Sequence, residues 1–132
     1  MALYTEFNFP ISNDREIMLM SAPGAFMPTG TTKLLIEAVQ KKVVAPASLL
    51  DLGCGTGVVG LALHLHGLVK SPLYASDLSE PGVNCSKVNT ERYECMADVR
   101  SGSLFEPWLG HKFDVIVDDI SGIAREVADV SP

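Results

Sequence analysis

Long apolar runs are absent from the 132-residue sequence, and none approaches the roughly 20 residues that a helix needs to span a bilayer. The N-terminal segment also lacks the unbroken apolar stretch of a secretory signal, because charged residues such as Glu6 and Arg15 interrupt it. We therefore expect neither a membrane span nor a secretory signal in this sequence.

Cysteine is scarce, and the three cysteines, Cys54, Cys85 and Cys95, form no closely spaced pair of the C-x-x-C kind. An odd number of thiols without a secretory signal is typical of reduced cysteines, so we expect a cytoplasmic protein. Histidine offers no metal pair, because His64 and His66 lie two residues apart on a predicted helix and point to different faces. The sequence thus predicts neither disulfides nor a bound metal.

Positive charge is in deficit, with 10 lysines and arginines against 16 aspartates and glutamates and a net charge of −6. This balance produces no overall field that attracts phosphates, so a nucleic-acid partner is not favoured, although a local basic site remains open. Hydrophobic residues make up 47% of the chain and charged residues 20%, a composition that excludes a disordered chain. The length suits one domain.

Apolar periodicities of strands and helices alternate along most of the chain. We predict two short N-terminal strands, at residues 3–11 and 16–20, and later strands at 47–52, 73–77, 99–101 and 113–117. We predict helices at residues 32–45, 58–66 and 79–92, and a final short helix spaced by Ile123, Val127 and Val130. Thr31 or Thr32 is expected to cap the first helix and Ser79 the third. Strands joined by helices need crossovers, so we expect an α/β fold with a Rossmann-like parallel sheet and helices on both faces.

A glycine-rich turn, Gly53-Cys54-Gly55-Thr56-Gly57, follows the strand that carries Asp51. Glycines let the backbone turn tightly and let a ligand approach closely. Asp77 ends the next strand, where a carboxylate is placed to accept hydrogen bonds from ribose hydroxyls. The pattern therefore predicts a nucleoside-containing ligand at the carboxyl ends of these strands.

Two ligand classes fit this turn. Gly55, Gly57 and Gly60 match the G-x-G-x-x-G fingerprint of NAD(P)-binding domains, which alone is weak evidence. However, the first glycine after the strand is Gly53, and Asp51 beside the turn would repel a pyrophosphate. That carboxylate suits a ligand with an ammonium or sulfonium group instead.

The segment Asp51-Leu52-Gly53-Cys54-Gly55-Thr56-Gly57 resembles the first motif of the class I S-adenosylmethionine-dependent methyltransferases, and the resemblance extends over about residues 23–121. It implies that residues 26–32 cover the methionine end of the cofactor, that Asp77 binds the ribose, and that Asn89 is the asparagine that often ends the following helix. Ser103 stands where the family usually has an aspartate near adenine. The cofactor-binding residues implied are Pro28, Thr29, Asp51, Gly53, Cys54, Gly55, Gly57, Asp77, Leu78, Ser103, Leu104 and Asp118.

We predict one domain over residues 1–132, in which residues 1–30 form a β segment with the cofactor-covering loop and residues 31–132 form the Rossmann-like core. The resemblance implies S-adenosyl-L-methionine as the cofactor and methyl transfer as the activity, to an acceptor that the sequence does not identify. In the amino-methylating branch, the fourth core strand is followed by Asn or Asp, two prolines and an aromatic residue. This sequence has Asp119-Ile120-Ser121-Gly122, which keeps Asp119 as the candidate catalytic acceptor but lacks the rest of that clamp. A non-catalytic module that binds cofactor or a partner chain is the alternative.

The strand at residues 113–117 would expose an apolar edge, because the resemblance implies further strands that this sequence does not contain. Exposed apolar edges promote aggregation, so we expect something to cover this one. A second copy of the chain, the N-terminal strands folding back, and a separate partner chain are the three candidates.

Overall fold

The computed structural model describes residues 4–119. Its strands are β1 (Thr5–Ser12), β2 (Arg15–Ser21), β3 (Leu49–Leu52), β4 (Leu73–Asp77), β5 (Ala97–Ser101) and β6 (Val115–Asp118). Its helices are α1 (Gly30–Lys42), α2 (Val58–Leu65) and α3 (Glu80–Arg92), with a 3-10 turn at Glu106–Trp108. Within this part of the chain, the order of strands and helices is the one that the sequence predicts.

A parallel sheet of four strands, in the order β5-β4-β3-β6, forms the centre of the structure. Leu50 in β3 pairs with Tyr74 in β4 on one side and with Ile116 in β6 on the other. Parallel strands place their carboxyl ends at one edge of the sheet, and in α/β sheets ligands bind outside that edge. The prediction of a Rossmann-like parallel sheet is confirmed.

The N-terminal hairpin forms a separate antiparallel sheet of two strands, in which Phe9 pairs with Ile17. Its apolar side chains, Ile11, Ile17 and Leu19, join the main core together with Ile36 of α1. The hairpin therefore packs on the helices and does not cover β6, so one of the three candidates for that edge is wrong. Within residues 4–119, β6 has a strand neighbour, β3, on one side alone.

A smaller apolar cluster of Leu50, Leu52 and Trp108 lies on the opposite face of the sheet from the main core. Tyr74 and Phe113 pack against Trp108 with edge-on rings at centroid distances of 5.6 and 5.8 Å. In the described residues this face is covered by the segment around the 3-10 turn, while the three helices adjoin the main core. The short helix predicted from residue 123 onward lies outside the described residues.

The start of α1 differs from the prediction, because its N-cap is Thr29 and not Thr31 or Thr32. Thr29 has extended backbone angles, and its hydroxyl accepts from the amide of Thr32 at 3.4 Å, while the Thr32 hydroxyl accepts from the amide of Thr29 at 2.9 Å. The two threonines form a capping box, which starts the helix at Gly30. Ser79 caps α3 as predicted, and its hydroxyl accepts from the amide of Gly82 at 3.3 Å.

Three strands of the parallel sheet also begin at a different residue from the predicted one. The strand predicted from residue 99 begins at Ala97, which pairs with Leu73 of β4. The strand predicted from residue 47 begins at Leu49, and Ala47 makes an isolated bridge to Val69. The strand predicted from residue 113 begins at Val115, because Phe113 packs into the aromatic cluster below the sheet instead. The strands β3 and β5 end as predicted, at Leu52 and Ser101, and β6 ends one residue later than predicted, at Asp118. Across residues 4–119, no helix has both the length and the apolar character that a bilayer crossing requires.

Candidate functional site

Two adjoining cavities form a crevice at the carboxyl ends of the parallel strands, and Phe26, Gly53 and Asp119 line both of them. The first cavity lies between residues 26–29 and the glycine turn. The second lies over the ends of β4 and β6 and the loop after β5. The crevice is therefore where the fold rule for α/β sheets places a ligand.

All but one of the predicted site residues line this crevice. The first cavity holds Pro28, Thr29, Asp51, Gly53, Cys54, Gly55 and Asp119. The second holds Gly53, Asp77, Leu78, Ser103, Leu104, Asp118 and Asp119. The exception is Gly57, where an added Cβ would lie 3.0 Å from the hydroxyl oxygen of Ser86, so this glycine lets the turn approach α3.

The glycine turn is folded by hydrogen bonds within the protein. Its three glycines have positive φ angles, between +54° and +83°. The amide of Cys54 donates to the carbonyl of Ser76 at 2.8 Å, and the amide of Gly57 donates to the carbonyl of Cys54 at 2.7 Å. The amide of Gly55 donates to the carboxylate of Asp77 at 2.7 Å. Three amides of this turn thus have protein acceptors.

Asp77 fastens the end of β4 to its surroundings with both carboxylate oxygens. One oxygen accepts from the amide of Gly55 and the other from the amide of Ser79, each at 2.7 Å. Each carboxylate oxygen has a second lone pair, so the group can still accept from a ligand hydroxyl. This contact to the glycine turn was not predicted, because it joins residues 22 positions apart.

Asp51 is buried at the end of β3, with 1% of its surface exposed, and one of its oxygens accepts from the amide of Gly60 at 3.0 Å. Burial raises its pKa to about 8, the bond from Gly60 opposes that rise, and the nearby carboxylates of Asp119, Asp118 and Asp77 add to it. Burial and the charge of Asp119 also raise the pKa of Asp118. Four carboxyl groups thus border one crevice, and a ligand with a positive charge would favour the ionised form of Asp51.

The rim of the second cavity is apolar and open. Phe26, Leu78 and Leu104 line it with exposed fractions of 64%, 76% and 70%. Leu104 has a φ of +47°, a left-handed conformation that side-chain-bearing residues adopt rarely and mainly at functional loops. Exposed apolar side chains around a cleft are typical of a binding site for a flat apolar group such as a nucleobase.

Thr56 is a site residue that the sequence analysis missed. Its hydroxyl is buried, it lines the first cavity, and it has no hydrogen-bond partner among residues 4–119. A buried polar group without a partner costs free energy, so it is a candidate to bind a polar ligand atom. Its position between Gly55 and Gly57 of the glycine turn could have indicated a place in the site.

Asp119, the predicted catalytic residue, accepts a hydrogen bond of 2.6 Å from the hydroxyl of Thr32 at the start of α1. Cys54 packs within the turn, where its sulfur lies 3.0 Å from the hydroxyl oxygen of Ser86 and burial raises the pKa of its thiol. A buried thiol of raised pKa is a poor nucleophile, which agrees with a packing role. Within residues 4–119, no group of three histidine, cysteine or acidic side chains is arranged to hold a metal ion.

Comparison with known proteins identifies the family. The model of the methyltransferase small domain matches residues 16–119. The ribosomal protein L11 methyltransferase of Staphylococcus aureus is 30% identical over 112 residues, which cover 81% of this chain and 35% of that protein. The chain therefore spans about a third of the length of the curated relatives it matches.

Solved structures share the fold. The Thermus thermophilus 16S rRNA guanine-N2 methyltransferase, in complex with AdoMet and guanosine, superposes with a TM-score of 0.77 at 24% identity, covering 89% of this chain and 33% of that one. The ribosomal protein L11 methylase of Lactobacillus delbrueckii superposes with a TM-score of 0.60 at 26% identity, covering 73% and 49%. With the motif match and the sheet order, these findings place the chain in the methyltransferase small domain family.

Proposed function

We propose that this domain binds S-adenosyl-L-methionine in the crevice and serves a methyl transfer to a nucleophile held near Asp119. The observation that carries the proposal is the bond from the Gly55 amide to Asp77, in a crevice that four carboxyl groups line. That arrangement suits a ligand with a positive sulfonium and ammonium group, a ribose and an adenine. When bound, the cofactor supplies a methyl group that its sulfonium already activates.

The same bond argues against the NAD(P) alternative. Dinucleotide-binding turns leave their amides free for a pyrophosphate at the helix N-terminus. Here the amides of Cys54, Gly55 and Gly57 already have acceptors within the protein. Asp77 itself does not discriminate, because NAD-binding folds also carry an acidic residue about 20 positions after the glycines. The occupied amides are therefore the feature that opposes a nicotinamide dinucleotide.

We assign each of the two cavities to one part of the cofactor. We assign the methionyl part to the first cavity, with Asp51 and Gly53 beside its charged groups and Thr29 in the covering segment. The buried hydroxyl of Thr56 is a further candidate there, since it lacks a partner among the described residues.

The second cavity suits the adenosine part. Asp77 has lone pairs left for the ribose hydroxyls, and Ser103 offers a hydroxyl to the adenine. The exposed side chains of Leu78 and Leu104 give the adenine ring apolar surface. A hydroxyl at residue 103 binds an adenine amino group more weakly than the aspartate that the resemblance implies.

Asp119 borders both cavities, so it is the acidic group that a nucleophile and the cofactor can share. Methyl transfer needs alignment more than covalent help, and orientation alone can lower a barrier by up to ~7–11 kcal/mol in ideal cases. In this role Asp119 accepts a hydrogen bond from the nucleophile and orients it.

The relatives suggest where to look for the acceptor. One acts on a ribosomal protein and another on 16S rRNA, as their names state. We propose a component of the ribosome as the acceptor class, and the net charge of −6 favours a protein over RNA within it. We also propose that a second copy of the chain or a partner chain covers the open edge of β6.

Transfer of tritium from labelled S-adenosyl-L-methionine to ribosomal proteins, with rRNA in a parallel reaction, tests this function. We expect label in a ribosomal protein, and at least a tenfold lower rate for Asp119→Asn with little change in the affinity for S-adenosylhomocysteine, which is neutral at its sulfur. Cofactor binding without any transfer would support the non-catalytic module. If Asp119→Asn instead loses affinity for S-adenosylhomocysteine and keeps its turnover, the role of Asp119 is refuted.

A further inference from the structure

We infer that Thr32 is a positioning residue, whose hydroxyl holds the carboxylate of Asp119 in place and couples it to the segment that covers the first cavity. The inference rests on the proposed role of Asp119. Thr32 lies in α1, a helix that contributes no other residue to the proposed site.

The contact between Thr32 and Asp119 is short and shielded. The hydroxyl oxygen of Thr32 lies 2.6 Å from Oδ2 of Asp119, a length typical of a hydroxyl that donates to a charged carboxylate. Thr32 has none of its surface exposed. Because solvent does not reach this hydroxyl, water cannot replace the bond with little cost.

A second hydrogen bond fixes the direction of the first. The amide of Thr29 donates to the hydroxyl oxygen of Thr32 at 2.9 Å. An amide can only donate, so the single proton of the hydroxyl points elsewhere, and Asp119 is its acceptor. The relay runs from the amide of Thr29 through the hydroxyl of Thr32 to Oδ2 of Asp119.

The relay also joins two walls of the crevice. Thr29 caps α1 and lines the first cavity, and Asp119 follows β6 and lines both cavities. A capping box alone would need the hydroxyl of Thr32 only as an acceptor. Its donation to a residue 87 positions away is therefore an additional task. One hydroxyl thus holds both Thr29 of the covering segment and the carboxylate of Asp119.

The test compares a cationic and a neutral ligand. Sinefungin carries an amine where S-adenosyl-L-methionine carries its methyl sulfonium, and S-adenosylhomocysteine is neutral at that point. Calorimetry gives the Kd of each ligand for the wild-type chain, Thr32→Val, Thr32→Ser and Asp119→Asn. Thr90→Val is the matched control, because it also removes a buried threonine hydroxyl from a helix but lies outside the crevice.

We expect the wild type to prefer sinefungin, and Thr32→Val and Asp119→Asn to reduce that preference by a similar factor, roughly tenfold. Thr32→Ser should restore it, and Thr90→Val should keep it. If Thr32→Val weakens both ligands equally, or if Asp119→Asn alone shifts the ratio, the positioning role is wrong while the proposed function stands. If the wild type binds neither ligand, the proposed function itself fails.

Discussion

The amide of Gly55 donates a 2.7 Å hydrogen bond to the carboxylate of Asp77, which lies 22 residues further along the chain. The bond connects the glycine turn after β3 to the end of β4, so each of these two sides of the crevice stabilises the other. It also occupies an amide that a dinucleotide-binding turn would offer to a phosphate. The kind of ligand and the stability of the turn therefore depend on the same carboxylate.

Replacing Asp77 with alanine should destabilise the glycine turn and weaken the binding of the ligand. Two amides would lose their acceptor, and each unsatisfied amide costs about 1–3 kcal/mol when it is shielded from water. We expect a lower melting temperature and at least a tenfold weaker affinity for S-adenosylhomocysteine, measured by calorimetry.

Asp114→Ala is the control for this change. Asp114 also accepts from a backbone amide, that of Ser48 at 3.1 Å, but it lies before the start of β6, away from the crevice. The control should keep its ligand affinity. An unchanged affinity in the Asp77 variant would show that this carboxylate binds no part of the ligand.

Asp51 should make the stability of the free protein depend on pH. Its pKa is 3.8 in the unfolded chain and about 8 in the folded chain, because it is buried. Between these values the folded state keeps a proton that the unfolded state releases, so stability decreases as pH rises, by up to about 1.4 kcal/mol per pH unit.

Asp51→Asn should remove this contribution while keeping an oxygen that accepts from the amide of Gly60. Urea unfolding at pH 5, 6 and 7.5 checks it. The free energy of unfolding of the wild type should fall more steeply with pH than that of the variant. Parallel pH profiles would mean that Asp51 is charged in the folded protein.

We expect Gly55 to be required for ligand binding, and Gly67 to be required only for the stability of the turn in which it lies. Both have positive φ angles, +54° and +78°, so alanine costs each position roughly 1–2 kcal/mol of strain. At Gly55 the added Cβ would lie 3.2 Å from the carbonyl oxygen of Phe26, whereas nothing lies within 4 Å of it at Gly67.

We therefore expect Gly55→Ala to weaken the affinity for S-adenosylhomocysteine, because it displaces the segment that covers the first cavity. Gly67→Ala should lose stability alone. Equal affinities of the two variants in calorimetry would contradict the contact between the turn and the covering segment.

Asn89 should stabilise the fold more than any exposed polar residue. It is fully buried, and its amide oxygen accepts from the amide of Met20 at 2.7 Å. Its amide nitrogen donates to the carbonyls of Met20 and Thr56 at 2.9 and 2.7 Å. One side chain thus connects the hairpin, α3 and the glycine turn.

Asn89→Ala should lower the free energy of unfolding by about 2–4 kcal/mol, since it leaves these buried groups without partners. Thr90→Val should cost about 1 kcal/mol or less, because its hydroxyl donates to a carbonyl of its own helix. Urea denaturation measures both variants. A similar small loss in both would show that Asn89 does not connect these elements.

Local sequence patterns predicted the sheet, because periodicity and caps act over a few residues. The motif around Gly53 and the position of Asp77 located the crevice for the same reason. What the sequence did not predict depends on contacts between distant positions. The bonds of Asn89 to β2, and of Thr32 to Asp119, join residues 69 and 87 positions apart.

The N-cap of α1 shows the limit at short range. Thr29, Thr31 and Thr32 all have hydroxyls suited to capping. Thr29 is the N-cap because Thr32 lies at the third helical position, where its hydroxyl accepts a hydrogen bond from the amide of Thr29. That position in turn brings the Thr32 hydroxyl to Asp119. The tertiary contact and the local cap support each other.

Calorimetric titration of the purified chain with S-adenosylhomocysteine, with NAD in a parallel titration, decides whether the crevice binds S-adenosyl-L-methionine or a dinucleotide. We expect binding of S-adenosylhomocysteine in the micromolar range and no binding of NAD. Binding of NAD alone would refute the proposed function, and so would binding of neither ligand by a chain that circular dichroism shows to be folded.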